Sequence, residues 1–152
     1  MADIDTFAEE LQQEILDEAR ARYSETVIDH WRYPRGFAAL ERPDGHARIT
    51  GPCGDTMEVF LRIREQRVMG ASFLTDGCIT SIASGSMAVE LATGKTTSEA
   101  RMISQDDILE ALGGLPEEST HCALLASNTL RAAIDDYLAD RGASWKRLYR
   151  SQ

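Results

Sequence analysis

The chain has 152 residues and a formal net charge of -9 at pH 7, a length that fits one domain burying roughly two thirds of the surface its unfolded chain exposes, with no disulfide staple needed. The acidic balance repels nucleic-acid phosphate, and the only short basic run is Trp145-Lys146-Arg147-Leu148-Tyr149-Arg150. No apolar run is long enough to span a bilayer and the start, Met1-Ala2-Asp3-Ile4-Asp5, is acidic where a secretory signal is basic, so a reducing cytoplasm is the expected compartment.

Phe7, Leu11, Ile15, Ala19, Tyr23, Val27 and Trp31 recur every fourth residue. The spacing predicts one or two helices whose slowly winding apolar stripe packs on the rest of the domain, with residues 1–22 as a helical extension. Thr6 with Glu9 reads as a capping box at its start, Ser24 as a second cap, and Pro34 with Gly36 as the end. Met57, Val59, Leu61 and Ile63 then alternate with Glu58, Phe60, Arg62 and Arg64, the pattern of a half-buried strand. Met69, Ala71 and Phe73 repeat the alternation after a Glu65-Gln66-Arg67 turn, predicting an antiparallel hairpin with a third strand around Ala47 to Thr50.

Past Cys78 the period becomes helical, with Ile79, Ala83, Met87 and Leu91 on one face. Ser84, Gly85 and Ser86 permit close approach of a neighbour, and Gly94 closes the helix. Ser104 with Asp107 caps a short helix ending at Gly113-Gly114, and Leu115-Pro116 begins a loop. A last helix runs from about His121 through Tyr137, its core face drawn from Ala123, Leu130, Ile134, Tyr137 and Leu138; from Ala143 onward a short amphipathic tail follows. The expected fold is α+β, a small three-stranded antiparallel sheet with helices packed on one face, in a single domain over 1–152.

Chemistry concentrates at three cysteines: Gly51-Pro52-Cys53-Gly54-Asp55, Asp76-Gly77-Cys78 and His121-Cys122-Ala123. A lone free cysteine is commonly a small buried hydrophobe, but three thiolates with one nitrogen or oxygen ligand make a tetrahedral metal site. Cys78 and Cys122 fall at predicted helix starts, the latter after a Ser119-Thr120 cap, where unpaired N–H groups and the helix dipole favour the thiolate. Cys53 lies in a turn whose flanking Gly51 and Gly54 allow close backbone approach to a ligand. Such long spacings mean a site assembled by the fold, unlike a zinc knuckle of local CxxC pairs. A purely structural zinc domain is therefore disfavoured. Zinc hydrolase and deaminase chemistry lack their motifs: no HExxH is present and Pro52-Cys53 lacks the second cysteine of PCxxC. His30 and His46 read as structural or exposed, with no acidic partner that sequence can place beside them.

The segments Tyr23-Ser24-Glu25-Thr26-Val27-Ile28-Asp29-His30-Trp31, Tyr33-Pro34-Arg35-Gly36, Cys53-Gly54-Asp55, Gly77-Cys78 before Ser81-Ile82-Ala83-Ser84-Gly85-Ser86, and His121-Cys122-Ala123-Leu124-Leu125 resemble the IscU/NifU-type iron-sulfur cluster assembly scaffolds. The resemblance covers nearly all of residues 23 to 140. It implies a binding and transfer protein without turnover of its own, which takes sulfur from a cysteine desulfurase, combines it with iron into a transient [2Fe-2S] cluster, and passes that cluster to apo-acceptor proteins. It implies Cys53, Cys78 and Cys122 as ligands, with Asp55 and His121 in the site and either able to be the fourth ligand. Thiolates suit cluster iron and a carboxylate or imidazole suits it less well, so the cluster is held but releasable; a missing fourth cysteine argues against an electron carrier. Where chaperone-dependent members carry Leu-Pro-Pro-Val-Lys this chain has Leu115-Pro116-Glu117-Glu118-Ser119, which disfavours docking of an Hsp70-type chaperone. The alternative is a SufU-like zinc-dependent sulfurtransferase, in which Cys122 accepts persulfide sulfur while zinc sits on Cys53, Cys78 and Asp55; His121 and the lack of an obvious insertion before Cys122 favour the scaffold branch.

Overall fold

Strands β1 (Gly45–Thr50), β2 (Thr56–Arg64) and β3 (Arg67–Thr75) form one antiparallel sheet in that order in a computed structural model that describes residues 2–142. The tail from Ala143 lies outside the described residues. In β2 the alternation holds: Met57, Val59, Leu61 and Ile63 are buried. Glu65 and Gln66 join β2 to β3 with both φ angles positive, 53° and 62°, the two-residue turn whose twist matches paired strands.

β3 departs from the expected alternation. Arg62 pairs with Gly70 but Ile63 pairs with Val68, so Met69 is the extra residue of a bulge. Val68 takes the buried place and Met69 is exposed, while Phe73 is fully buried as expected.

Helices α3 (Ile79–Ala92) and α6 (Thr120–Gly142) pack on the sheet and on each other. Sequence predicted one apolar face for α3, yet residues 83–89 are buried all round, because the sheet, α6 and α2 (Glu25–Arg32) enclose it. Small residues make that possible. A Cβ on Gly85 would stand 2.5 Å from the Phe73 ring, so this glycine sets how deeply α3 sits on β3. Helix α5 (Gln105–Leu112) has the anticipated Ser104–Asp107 capping box and ends at Gly113 with φ 78°. The five-residue α4 (Thr97–Arg101) escaped sequence reading because it is too short to show a period, although Thr96 and Glu99 form a complete capping box. At the start of α6 a 3-10 turn, Glu117–Ser119, runs straight into the helix and the Thr120 hydroxyl donates to the Glu117 carbonyl, so Ser119-Thr120 is not an N-cap. Near the other end Leu138 is exposed rather than in the core, since β1 begins at Gly45, packed on Ala133 and Tyr137.

The N-terminal stripe is only partly covered. Helix α1 (Ala2–Arg22) continues through Thr6, so Thr6 and Glu9 do not cap it, whereas Ser24 does cap α2 by accepting from the Val27 N–H at 3.1 Å. Leu16 and Ala19 pack with Ile28, Tyr23 and Trp31 in a second, smaller apolar cluster. Phe7, Leu11 and Ile15 are exposed, against expectation. The cause is length: α2, about 12 Å long, cannot cover a neighbour about 30 Å long at 1.5 Å per residue. Among the described residues no helix is long and apolar enough to cross a membrane.

Both histidines that sequence left without acidic partners have them on neighbouring elements. His46 Nε2 lies 2.7 Å from Glu58. His30 is buried on α2, with Nδ1 2.7 Å from the Ser86 hydroxyl and Nε2 3.2 Å from Glu90, both on α3. The Arg35 backbone N–H donates to Ser86 Oγ at 2.9 Å, so the Ser86 proton points to Nδ1 and the Nε2 proton to Glu90. Burial, together with the Arg35 cation, holds His30 below the ordinary imidazole range, against the opposite pull of Glu90 and Asp29. Unfolded chain takes up this proton first as pH falls, so stability is lost on acidification through the ordinary histidine range near about 6.5.

Urea midpoints should drop between about pH 7.5 and about 5.5, and His30→Gln should flatten that drop; equal slopes in the two proteins would assign it to another group. Gly85→Val forces Phe73 aside and should cost about 1–3 kcal/mol, read as a lower urea midpoint at unchanged m.

Candidate metal centre

Three chain segments meet at one end of the sheet: the β1–β2 connection, the N-terminus of α3, and the first turn of α6. The connection is a tight loop in which the Gly51 N–H donates to the Asp55 carbonyl at 2.8 Å and the Gly54 N–H to the Gly51 carbonyl at 3.0 Å. Gly54 has φ 88°, a conformation that disfavours other residues. Cys53 is exposed on this loop. Asp55 closes it, and its Oδ2 accepts from the Ser81 hydroxyl at 3.1 Å.

Cys78 precedes α3 with extended backbone and is exposed. Cys122 is buried, 2% exposed, in the first turn of α6, and its sulfur lies 3.7 Å from His121 Nε2. One hydroxyl joins the two: Thr80 Oγ1 is 3.3 Å from Cys78 Sγ and 3.2 Å from Cys122 Sγ. Ser81 Oγ lies 3.5 Å from Cys122 Sγ. Ligand atoms of Asp55, His121 and Cys122 all lie within 4.8 Å of one another. The structure therefore gathers three of the five candidate residues into one group, links Cys78 to it through Thr80, and leaves Cys53 outside that group on the loop that carries Asp55. Soft sulfur beside imidazole and carboxylate fits a zinc or iron centre.

Sequence reading missed Thr80 and Ser81. Their signal was present, two hydroxyls directly after Cys78-Ile79 in the first turn of a helix otherwise read for its apolar face. Both are buried. Gly77 was also overlooked: a Cβ there would come 2.3 Å from Ser81 Oγ and 3.1 Å from Asp55 Oδ2.

The two helix-start cysteines differ in their acidity, where sequence expected both to be activated. At Cys78 burial pushes the thiol up, but the Thr80 hydroxyl and the Thr80 and Ser81 backbone N–H groups outweigh it, and the net shift is downward. At Cys122 burial dominates and pushes the thiol up, and the Cys78 and Asp55 charges add to it, despite the opposing effect of hydrogen bonding with Thr80 and Ser81. A single arrangement suits both: Cys122 S–H donates to Thr80, whose own proton goes to the Cys78 thiolate.

In metal-free protein, iodoacetamide should label Cys78 at lower pH than Cys122, read by peptide mass spectrometry. Thr80→Val should shift the Cys78 labelling profile to higher pH, because a donor to its thiolate is gone. Labelling of Cys122 ahead of Cys78 would contradict this ordering.

The NifU-like N terminal domain family matches residues 22–144. The chain is 43% identical over 121 residues to iron-sulfur cluster assembly scaffold protein IscU 1 of Archaeoglobus fulgidus, covering 79% of each chain. It is 38% identical over 126 residues to iron-sulfur cluster assembly scaffold protein IscU of Escherichia coli K12, covering 80% of this chain and 98% of that one. Its fold is similar to that of the N-terminal NifU-like protein of Brucella abortus, with TM-score 0.61, 18% identity, and coverage of 76% and 94%. A protein of the SUF system of Fervidobacterium islandicum AW-1 is similar in fold to the same degree, with TM-score 0.60, 22% identity, and coverage of 74% and 96%.

Proposed function

Because the chain belongs to the NifU-like N-terminal domain family, we propose that it is a scaffold on which iron and desulfurase-derived sulfur are joined into a transient [2Fe-2S] cluster for transfer to apo-acceptor proteins. The observation that carries this reading is the convergence of Asp55, Cys78, His121 and Cys122 from three separate elements, with donors of unequal affinity for iron. Cys53, Cys78 and Cys122 would hold the cluster through thiolates, and Asp55 or His121 would supply the weaker fourth ligand. The cluster is cargo, so the weak position is useful: an acceptor offering a fourth thiolate competes best where the scaffold holds least.

The chain's own residues prepare this hold. Thr80 bridges the two sulfurs, and by accepting from the Cys122 thiol while donating to Cys78 it would let Cys78 ligate as thiolate while Cys122 stays neutral until iron arrives. Cys53 and Cys78 are both exposed and so open to an approaching sulfur donor, for which a cysteine desulfurase is proposed. Such a protein performs no catalytic turnover of its own and works in the cytoplasm beside its partners.

A second reading is favoured by the size of the tightest group. Three donors within 4.8 Å suit one ion, and zinc there would take Cys122 as a ligand, whereas zinc on Cys53, Cys78 and Asp55 would leave Cys122 as the sulfur-accepting residue of a zinc-dependent sulfurtransferase.

Anaerobic incubation with ferrous iron, cysteine and a desulfurase should give sulfur-to-iron charge-transfer bands that decay as an apo-ferredoxin gains its cluster. Sulfur passing onward with bound zinc and no iron uptake would replace the scaffold by the sulfurtransferase. Asp55→Ala, by removing the carboxylate that eases release, should lengthen the lifetime of the assembled cluster; transfer rates equal to the parent would remove Asp55 from that role.

A further inference from the structure

A carboxylate ligand works only if one of its oxygens is aimed at the metal, and Asp55 sits on an exposed loop that does not itself fix a side-chain rotamer. Two contacts fix it. The Asp55 carbonyl accepts from the Gly51 N–H, which anchors the backbone, and Asp55 Oδ2 accepts from the Ser81 hydroxyl at 3.1 Å, which anchors the side chain. Ser81 has no exposed surface, so its hydroxyl cannot exchange this partner for water. It has one proton, and an ionised carboxylate is a better acceptor than the Cys122 sulfur at 3.5 Å. The two first-turn hydroxyls of α3 thus divide their work: Thr80 serves the sulfurs and Ser81 serves the carboxylate.

The neighbouring residue is shaped to this contact. A Cβ at Gly77 would lie 2.3 Å from Ser81 Oγ and 3.1 Å from Asp55 Oδ2, so the hydrogen bond exists in a space that any side chain at position 77 would fill. Asp55 brings one carboxylate oxygen into the group with His121 and Cys122, and with Oδ2 held by Ser81 the orientation of the whole carboxylate is set.

We propose that Ser81 is a positioning residue that aims the Asp55 carboxylate into the metal centre. It acts through Asp55 and does not itself ligate. This rests on the reading of the site as a metal centre and adds to it a residue that is not among the donors. Hydrogen-bond partners of ligating groups typically change metal affinity by about 10–100-fold when removed.

The test uses cobalt(II), whose d–d and thiolate-to-metal bands report geometry and ligand type, in the full chain with zinc competition. Ser81→Ala should weaken cobalt and zinc binding by about tenfold or more and alter the d–d bands, while Ser81→Thr, which keeps the hydroxyl, should retain parental affinity. In an Asp55→Ala background the Ser81→Ala change should have no further effect on affinity or spectrum. Equal affinity of Ser81→Ala and parent overturns the proposal and leaves the metal centre intact. A full additional loss in the Asp55→Ala background also overturns it, showing that Ser81 acts on the fold or on another donor. Failure of the parent chain to bind cobalt at all overturns the metal-centre reading itself, and the proposal with it. If Ser81→Ala does not fold, Gly77→Ala, which crowds the same hydrogen bond from its other side, should produce the same Asp55-dependent loss, and an Asp55-independent effect there counts against the proposal.

Discussion

Phe73 lies against Gly85, and the geometry of the metal centre depends on how close that contact lets α3 come to the sheet. Helix α3 brings Cys78, Thr80 and Ser81 to the same end as the β1–β2 loop and the start of α6, where hydroxyl-to-sulfur and hydroxyl-to-carboxylate distances are 3.1 to 3.5 Å. A side chain at 85 would meet the Phe73 ring at 2.5 Å, so the ring must move aside or the helix outward, and an outward shift would lengthen those separations. Phe73 is itself braced on its far side, with Phe37 edge-on at 5.1 Å and its N–H donated to the Gly36 carbonyl at 2.8 Å. The core therefore serves the site by fixing one helix at one depth.

Burial then differentiates donors that sequence presents as equivalents. Cys78 and Cys122 both begin helices, but one is exposed and the other is enclosed by α3 and α6. Desolvation decides the shift at the enclosed position, while amide and hydroxyl donors outweigh it at the open one. The Thr80 hydroxyl lies between them, 3.3 Å from one sulfur and 3.2 Å from the other, and so couples the two positions. An element boundary predicts that a cysteine meets a helix dipole; only the tertiary packing decides whether the dipole or the loss of water wins.

Much of the architecture was readable because one-sided burial imposes a period. β2 shows it cleanly, and the hairpin, the third strand, the Ser104–Asp107 cap and the small-residue surface of α3 all follow from local rules. What escaped reading depended on partners distant in sequence. Met69 looks inward by alternation and turns outward because the ladder slips by one residue beside it. Phe7, Leu11 and Ile15 form a stripe as regular as any buried one, yet whether a stripe is covered depends on the length of its neighbour, which periodicity does not encode. His30 and His46 found Glu90 and Glu58 across elements. For the candidate site, the donor types were legible as two cysteines and an aspartate beside glycines and a histidine next to the third cysteine, but the hydroxyls that orient them were not, since serine and threonine at a helix start ordinarily read as caps.

Rigidity is distributed unevenly across the centre, and that distribution matches the proposed transfer of a cluster better than its storage. The inner half, Cys122 with Thr80, Ser81 and Asp55, is tied into α3 and α6 by contacts of side chains that are largely withdrawn from water. The outer half consists of Cys78 at the open end of α3 and Cys53 on the hydrogen-bonded Gly51–Asp55 loop, both exposed. Ligand exchange requires an incoming donor to reach iron, which solvent-facing sulfurs permit and buried ones prevent. A site closed on all sides by four thiolates would resist exchange at every position equally. Here the buried side preserves geometry while the exposed side admits a partner, so retention and release draw on different residues and can be altered separately.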